Sequence, residues 1–113
     1  MANTPIRELA IALTVEITNL CDGIKGRSIY TNQLMRACSS IGANTHEAHY
    51  AQSKADFIHK LEISLKECYE TEYWLEILFR INALSQAEFD RLSEKCGIIR
   101  WKLIASVKTA KSP

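Results

Sequence analysis

Glycine and proline are scarce in this chain: four and two of 113 residues. That is too few for the closely spaced turns of a β-sandwich. No run of eighteen uncharged apolar residues occurs, so no segment reads as a membrane span. Neither sign of charge dominates: fourteen Lys and Arg stand against thirteen Asp and Glu. A surface that is basic throughout, as a nucleic-acid glove would need, is excluded, although a local patch is not. No glycine-rich phosphate loop follows a strand, and no C-x-x-C pair is present. The N-terminal stretch lacks a basic leader, and Arg7, Glu8 and Glu16 interrupt its apolar residues, so no secretory signal is expected. Cys21, Cys38, Cys68 and Cys96 are then expected as reduced thiols in a cytoplasm.

What is present is helical periodicity. Apolar residues make up 47% and charged residues 24% of the chain, the balance of a single packed domain over 1–113. Thr4-Pro5 reads as a cap followed by a first-turn proline. From there Ile6, Leu9, Ala10, Leu13, Ile17, Leu20, Cys21 and Ile24 fall in a sector about 120° wide at helical spacing. Asp22-Gly23 and Lys25-Gly26 punctuate that helix. A second helix carries Tyr30, Leu34, Ala37, Cys38, Ile41 and Ala48 on one face. Gly42 and the polar Asn44-Thr45 predict a bend or local unwinding near its middle. Ser53-Lys-Ala-Asp56 and Ser85-Gln-Ala-Glu88 are capping boxes ahead of two further periodic runs. The expected helices are 4–22, 28–52, 54–82 and 86–109. The short turn near Asn82–Ser85 forces an antiparallel hairpin. The architecture read from this is all-α, an up-down-up-down antiparallel four-helix bundle. The tail beyond Val107 is expected to fray.

The third helix shows two apolar stripes. Phe57, Ile58, Leu61, Leu65, Cys68, Leu75 and Phe79 form one. Ile63, Trp74, Ile77 and Ile81 form another, roughly on the far side. On the fourth helix Trp101 and Ile98 also lie off the main stripe. A bundle helix needs one apolar face, so Ile63, Trp74, Ile77, Ile81 and Trp101 are candidate contacts between copies of the chain. Scattered surface residues are the plainer reading of the same pattern.

Polar residues inside the stripes need partners. Glu72 projects into the third helix's stripe and Arg100 into the fourth's, among Phe89, Ile104 and Val107. Counted from the turn they differ by about one helical turn, roughly 5.4 Å, which an arginine spans. Glu72 is therefore expected to meet Arg100 or another donor such as Asn44. The plainer readings are that Gly97 shifts the helix phase or that Arg100 snorkels to water.

Charge is uneven along the chain. Residues 62–76 hold five glutamates and one lysine. From Lys95 onward come Lys95, Arg100, Lys102, Lys108 and Lys111 without an acid. Antiparallel packing would let these segments compensate each other. Alternatively Lys95, Lys102, Lys108 and Lys111 form a basic rim for RNA or DNA phosphates.

Signs of chemistry are faint. His46-Glu47-Ala48-His49 has i, i+3 spacing, not the i, i+4 spacing of a zincin. His46, His49, Glu47 and His59 are read as solvated side chains, and the four cysteines as small apolar residues, not zinc ligands. No Ser/His/Asp or Cys/His arrangement stands out. No catalytic residue, cofactor or metal is expected.

The segments Gln33-Leu-Met-Arg-Ala-Cys-Ser-Ser-Ile-Gly-Ala-Asn44, Glu47-Ala48, Ser53-Lys-Ala-Asp-Phe-Ile-His-Lys-Leu61 and Glu70-Thr-Glu-Tyr-Trp-Leu75 occur in order. This series resembles the four-helix-bundle family encoded in 23S rRNA intervening sequences, whose pattern is Q-L-x-R-x-x-x-S-I-x-x-N-x-x-E-G followed by S-x-x-D/E-F-x-x-x-L. Ala48 stands where many members have Gly, and Thr45-His46 replace a more apolar pair. The resemblance implies an up-down-up-down bundle that assembles as a ring-like homopentamer and associates with RNA or DNA. A related bundle is an accessory to the reverse transcriptase of diversity-generating retroelements. For Asn44 and Glu47 a local role is expected, satisfying backbone near Gly42 and anchoring that turn. Self-association, a nucleic acid or a protein partner, and no membrane, are the partners this reading expects.

Overall fold

A computed structural model describes residues 4–113. Four helices follow in order: α1 (Ile6–Asp22), α2 (Ser28–Ala48), α3 (Lys54–Arg80) and α4 (Gln86–Lys111). No strand occurs among the described residues. Helix α1 packs on α2 and α4, and α3 packs on α2 and α4, with no close backbone approach across either diagonal. The result is a square, antiparallel four-helix bundle 47 Å long and 25 by 19 Å across.

Each helix boundary has a local cause. Pro5, not Thr4, occupies the cap position of α1, one residue later than expected, and Leu9 N donates to Pro5 O. Ser53 Oγ accepts from Asp56 N and caps α3. There the return bond of the box goes one residue further back, from Gln52 N to Asp56 Oδ2. At α4 both bonds of the box form, Glu88 N to Ser85 Oγ and Ser85 N to Glu88 Oε1. Helix α3 closes on Asn82 at φ 63°. Ala83 N donates to Leu78 O and Asn82 N to Phe79 O, a Schellman closure in which Asn tolerates the left-handed position.

Three expectations change. First, α2 runs unbroken through Gly42. Thr45 Oγ1 donates to Ile41 O and Asn44 Nδ2 to Ser40 O, so the polar side chains bond within the helix and do not open it. The missing side chain of Gly42 is used for packing: a Cβ there would stand 3.4 Å from Ala10 Cβ on α1. Second, α2 stops at Ala48, not Gln52. Three successive i→i+3 bonds, from His49, Tyr50 and Ala51, tighten its end so that Ser53 is placed to cap α3. Third, α4 remains helical to Lys111, past the expected fray point. Lys111 Nζ holds Glu62 on α3 at 2.9 Å, and Ser112 Oγ donates to Lys108 O.

The core runs along the axis. Leu13, Ile17, Leu34, Ile41, Leu75, Leu78, Leu92, Ile99 and Leu103 are fully buried. Each is worth about 1.5–3 kcal/mol of burial. On α3 the buried line is Leu61, Ser64, Cys68, Thr71, Leu75 and Leu78. The stripe read from the sequence is rotated from this line because Ser64 and Thr71 at its centre are polar. Both are satisfied: Ser64 Oγ donates to Ile41 O at 2.7 Å and Thr71 Oγ1 to Glu67 O at 2.8 Å. Phe79 therefore lies on the flank toward α4, stacked on Phe89 at 4.5 Å between centroids. On α4, Ile104 is 38% exposed and lies outside the buried stripe expected for it.

Candidate interaction surface

The outward face of α4 exposes two large apolar side chains next to charge. Trp101 is 71% exposed and Ile98 45%. They are three residues apart and share the side opposite the buried line Leu92, Cys96, Ile99, Leu103 and Val107. Ile98 and Ile99 also border an apolar groove against Leu9, Ala12 and Leu13 of α1, about 160 Å³ in volume, with Glu16 and Lys95 at its rim.

The four lysines of the expected rim do not form one patch. Lys95 Nζ donates to Glu16 Oε1 at 2.7 Å, alongside Arg91 Nε to Glu16 Oε2 at 2.6 Å. The Lys95 bond, more than Arg91, holds the Glu16 carboxyl below the usual carboxylate range. Lys111 is paired with Glu62. Lys108 is exposed, and Lys102 is half-buried in a shallow depression with Thr4, Pro5, Trp101 and Ser106.

The second stripe of α3 is turned toward α2. Trp74 is half-buried, its ring 6.2 Å from Tyr30 and 5.0 Å from Tyr73, and its Nε1 donates to Glu70. Trp74 and Ile81 pack on the core, while Ile63 and Ile77 are half-buried. Trp74 and Ile81 of this stripe thus have partners inside the chain, which a single-helix projection could not supply. Trp101 lacks that cover.

Among the polar residues, the structure brings Arg100 and Glu72 together. Arg100 Nε donates to Glu72 Oε1 at 2.9 Å and its second nitrogen to Oε2 at 3.3 Å. The guanidinium also lies 5.7 Å from the Tyr69 ring centre. Both side chains keep about a quarter to a third of their surface in solvent, so the pair is a flank clamp between α3 and α4. Asn44 bonds within α2 and does not meet Glu72. Glu47 accepts from Lys60 Nζ at 2.9 Å and ties α2 to α3, where a local anchor for the Gly42 turn was expected.

One cluster escaped the sequence reading. Arg36 Nε donates to Gln33 Oε1, and its guanidinium reaches Glu67 and Glu70 on α3. Glu70 also accepts from Trp74 Nε1, the bond that does most to lower its pKa. Burial pushes the Glu67 carboxyl up, and Glu67 Oε1 is buried without a partner. The signal was available: Gln33-x-x-Arg36 and Glu70-x-x-x-Trp74 have the i, i+3 and i, i+4 spacing of facing pairs.

The remaining candidates show no assembled chemistry. His46 Nδ1 accepts from Arg7 Nε at 3.1 Å, and His49 and His59 are exposed. Among the described residues no group of His, Cys, Asp and Glu is arranged to hold a metal. The four cysteines are buried and free. Burial pushes the Cys21 thiol to about 11 and the Cys38 thiol to about 12, and a bond to Cys68 raises Cys96 further. Protonated thiols of this kind are packing groups, not nucleophiles.

Among the described residues no helix is long and apolar enough to cross a membrane. The family described as 23S rRNA-intervening sequence protein matches residues 3–105. A crystal structure of a protein with unknown function from the S23 ribosomal protein family of Bacteroides thetaiotaomicron is similar to this chain. The two are 36% identical with a TM-score of 0.88, covering 92% of this chain and 99% of that one. None of the curated proteins matches.

Proposed function

The chain belongs to the 23S rRNA-intervening sequence protein family, and we propose that it is a non-enzymatic, self-associating bundle that works beside nucleic acid. Copies meet through apolar surface, with a ring of five as the first assembly to test. Cations of α4, Lys102 and Lys108 foremost, lie at the margin of that contact and face phosphate. The reading places the protein in a cytoplasm, consistent with four free thiols. It needs no cofactor.

The observation that carries it is the outward face of α4. An indole 71% exposed beside an isoleucine 45% exposed is a typical anchor for a protein interface. A second reading keeps the assembly and drops the nucleic acid, leaving a scaffold for a protein partner. What favours it is the pairing of Lys95 with Glu16 and Lys111 with Glu62 inside one chain.

Light scattering at low and high salt tests the assembly. The expected mass is five chains of 12.8 kDa, about 64 kDa, unchanged by salt because the contact is apolar. Trp101→Glu is expected to yield monomers that keep the parent's helical content but melt lower, because the stabilisation from assembly is lost. A monomeric parent protein would sink self-association. RNA binding that weakens steeply with salt supports the first reading, whereas a salt-indifferent assembly that ignores RNA supports the second.

A further inference from the structure

The charges of this bundle are divided by height. Cut at the midpoints of the four helices, one half holds the start of α1, the close of α2, the start of α3 and the close of α4. With Glu67 of α3 on the cut itself, that half carries eight Lys and Arg against four Asp and Glu, and the other carries six against eight. The near-neutral total of +1 therefore conceals halves of +4 and −2, with the single charge of Glu67 between them. The Arg100–Glu72 pair straddles the cut. Leaving it out gives +3 and −1, and the polarity stands. Ion pairs inside the cationic half, such as Lys60–Glu47 and Lys111–Glu62, are neutral units and do not alter its balance. All three histidines, counted as neutral, also stand in this half.

We propose that this cationic end, and not the length of α4, is the surface that receives the phosphate backbone of a nucleic-acid strand, while the opposite end turns it away. The inference rests on the nucleic-acid reading above and gives it a location. Two physical arguments support it. The bundle is 47 Å long, several times the screening length of about 8 Å in physiological salt, so a strand at one end does not feel the other. The helix dipoles cannot produce or mask the polarity. Two helices begin and two end at each pole, so their contributions oppose one another and side-chain charge decides. Cyclic symmetry would turn the same pole of every copy to the same side of a ring, so assembly multiplies the effect.

The test compares two charge reversals of equal size on the full-length protein. Lys102→Glu with Lys108→Glu alters the cationic end; Lys25→Glu with Arg27→Glu alters the other. Each lowers the net charge by the same amount. Binding of a short oligouridylate and a short oligothymidylate is followed by fluorescence anisotropy over a salt series. The first pair is expected to lose at least about tenfold in affinity. Its salt dependence should become shallower by about 1.4 units of slope, two phosphate contacts at roughly 0.7 each. The second pair should stay within about twofold. If the first pair does not fold, Lys54→Glu with Lys66→Glu, exposed on α3 in the same half, takes its place. Equal losses from both ends, or no loss from the cationic end, would overturn the assignment while leaving nucleic-acid binding intact. A parent protein that binds neither oligonucleotide at low salt overturns the nucleic-acid reading as well.

Discussion

The α2–α3 seam and the α1–α4 seam are built differently. Between α2 and α3 a serine sits at the centre. Ser64 Oγ donates to Ile41 O and meets Thr45 Oγ1 at 2.9 Å, which brings the two backbones close and fixes their register. Arg36, bridging to Glu67 and Glu70, and Lys60, bridging to Glu47, close its edge. Between α1 and α4 long side chains hold the helices apart. Glu16 is shared by Arg91 and Lys95 above an apolar groove, and Ile98 and Trp101 remain in solvent. The first seam specifies the fold. The second spends fewer groups on it and leaves apolar surface available to a partner.

The largest expected effect tests this with one residue type. Ile41 is fully buried in the tight seam and Ile98 is 45% exposed at the open one. Ile41→Ala should destabilise by about 2–5 kcal/mol, as cavity-forming changes do. Ile98→Ala should stay within about 0.5 kcal/mol in the monomer. Denaturant unfolding reads both, and comparable losses would break the contrast between the seams.

The same contrast explains what could be read in advance. Four helices, their antiparallel order and the Ser85 capping box follow from periodicity and cap chemistry, which are local. The meeting of Glu72 and Arg100 could be counted from the α3–α4 turn because a short hairpin fixes relative height. The α2–α3 seam was harder. Its centre, Ser64 and Thr45, is polar, so hydrophobic periodicity passes over it and rotates the apparent stripe. Trp74 looked unpartnered because its partner Tyr30 lies 44 residues earlier in the sequence and a single-helix projection cannot show it. The pairing of Lys95 with Glu16, from opposite ends of the chain, was hidden for the same reason.

A smaller effect sharpens the account of the tight seam. Ser64→Ala removes the bond to Ile41 O and one partner of Thr45, which keeps its own bond to Ile41 O. A loss of about 1–2 kcal/mol is expected. Combined with Thr45→Val, the double variant should show a coupling of at least about 0.5 kcal/mol. Strict additivity would mean that the two hydroxyls act independently and that packing alone sets the register.

The smallest effect is electrostatic and distinguishes the seams by sign. Glu16 at the open seam has its pKa lowered, first by the Lys95 bond. Its stabilising contribution is therefore present at neutral pH and lost as pH falls through that lowered value. Glu67 at the tight seam has its pKa raised, first by burial, and one oxygen lacks a partner. Its ionised form opposes folding at neutral pH, and the folded state gains relative stability as acid neutralises it. Glu16→Gln should thus lower the melting temperature at neutral pH, and Glu67→Gln should leave it unchanged or raise it. Each shift corresponds to less than about 1 kcal/mol, since both carboxylates retain some contact with water. In acid the two variants should converge on the parent, because there the glutamate is protonated too. Equal losses from both substitutions at neutral pH would show that the Arg36 cluster stabilises through its charge. The open seam would then not be the only one held by favourable ion pairing.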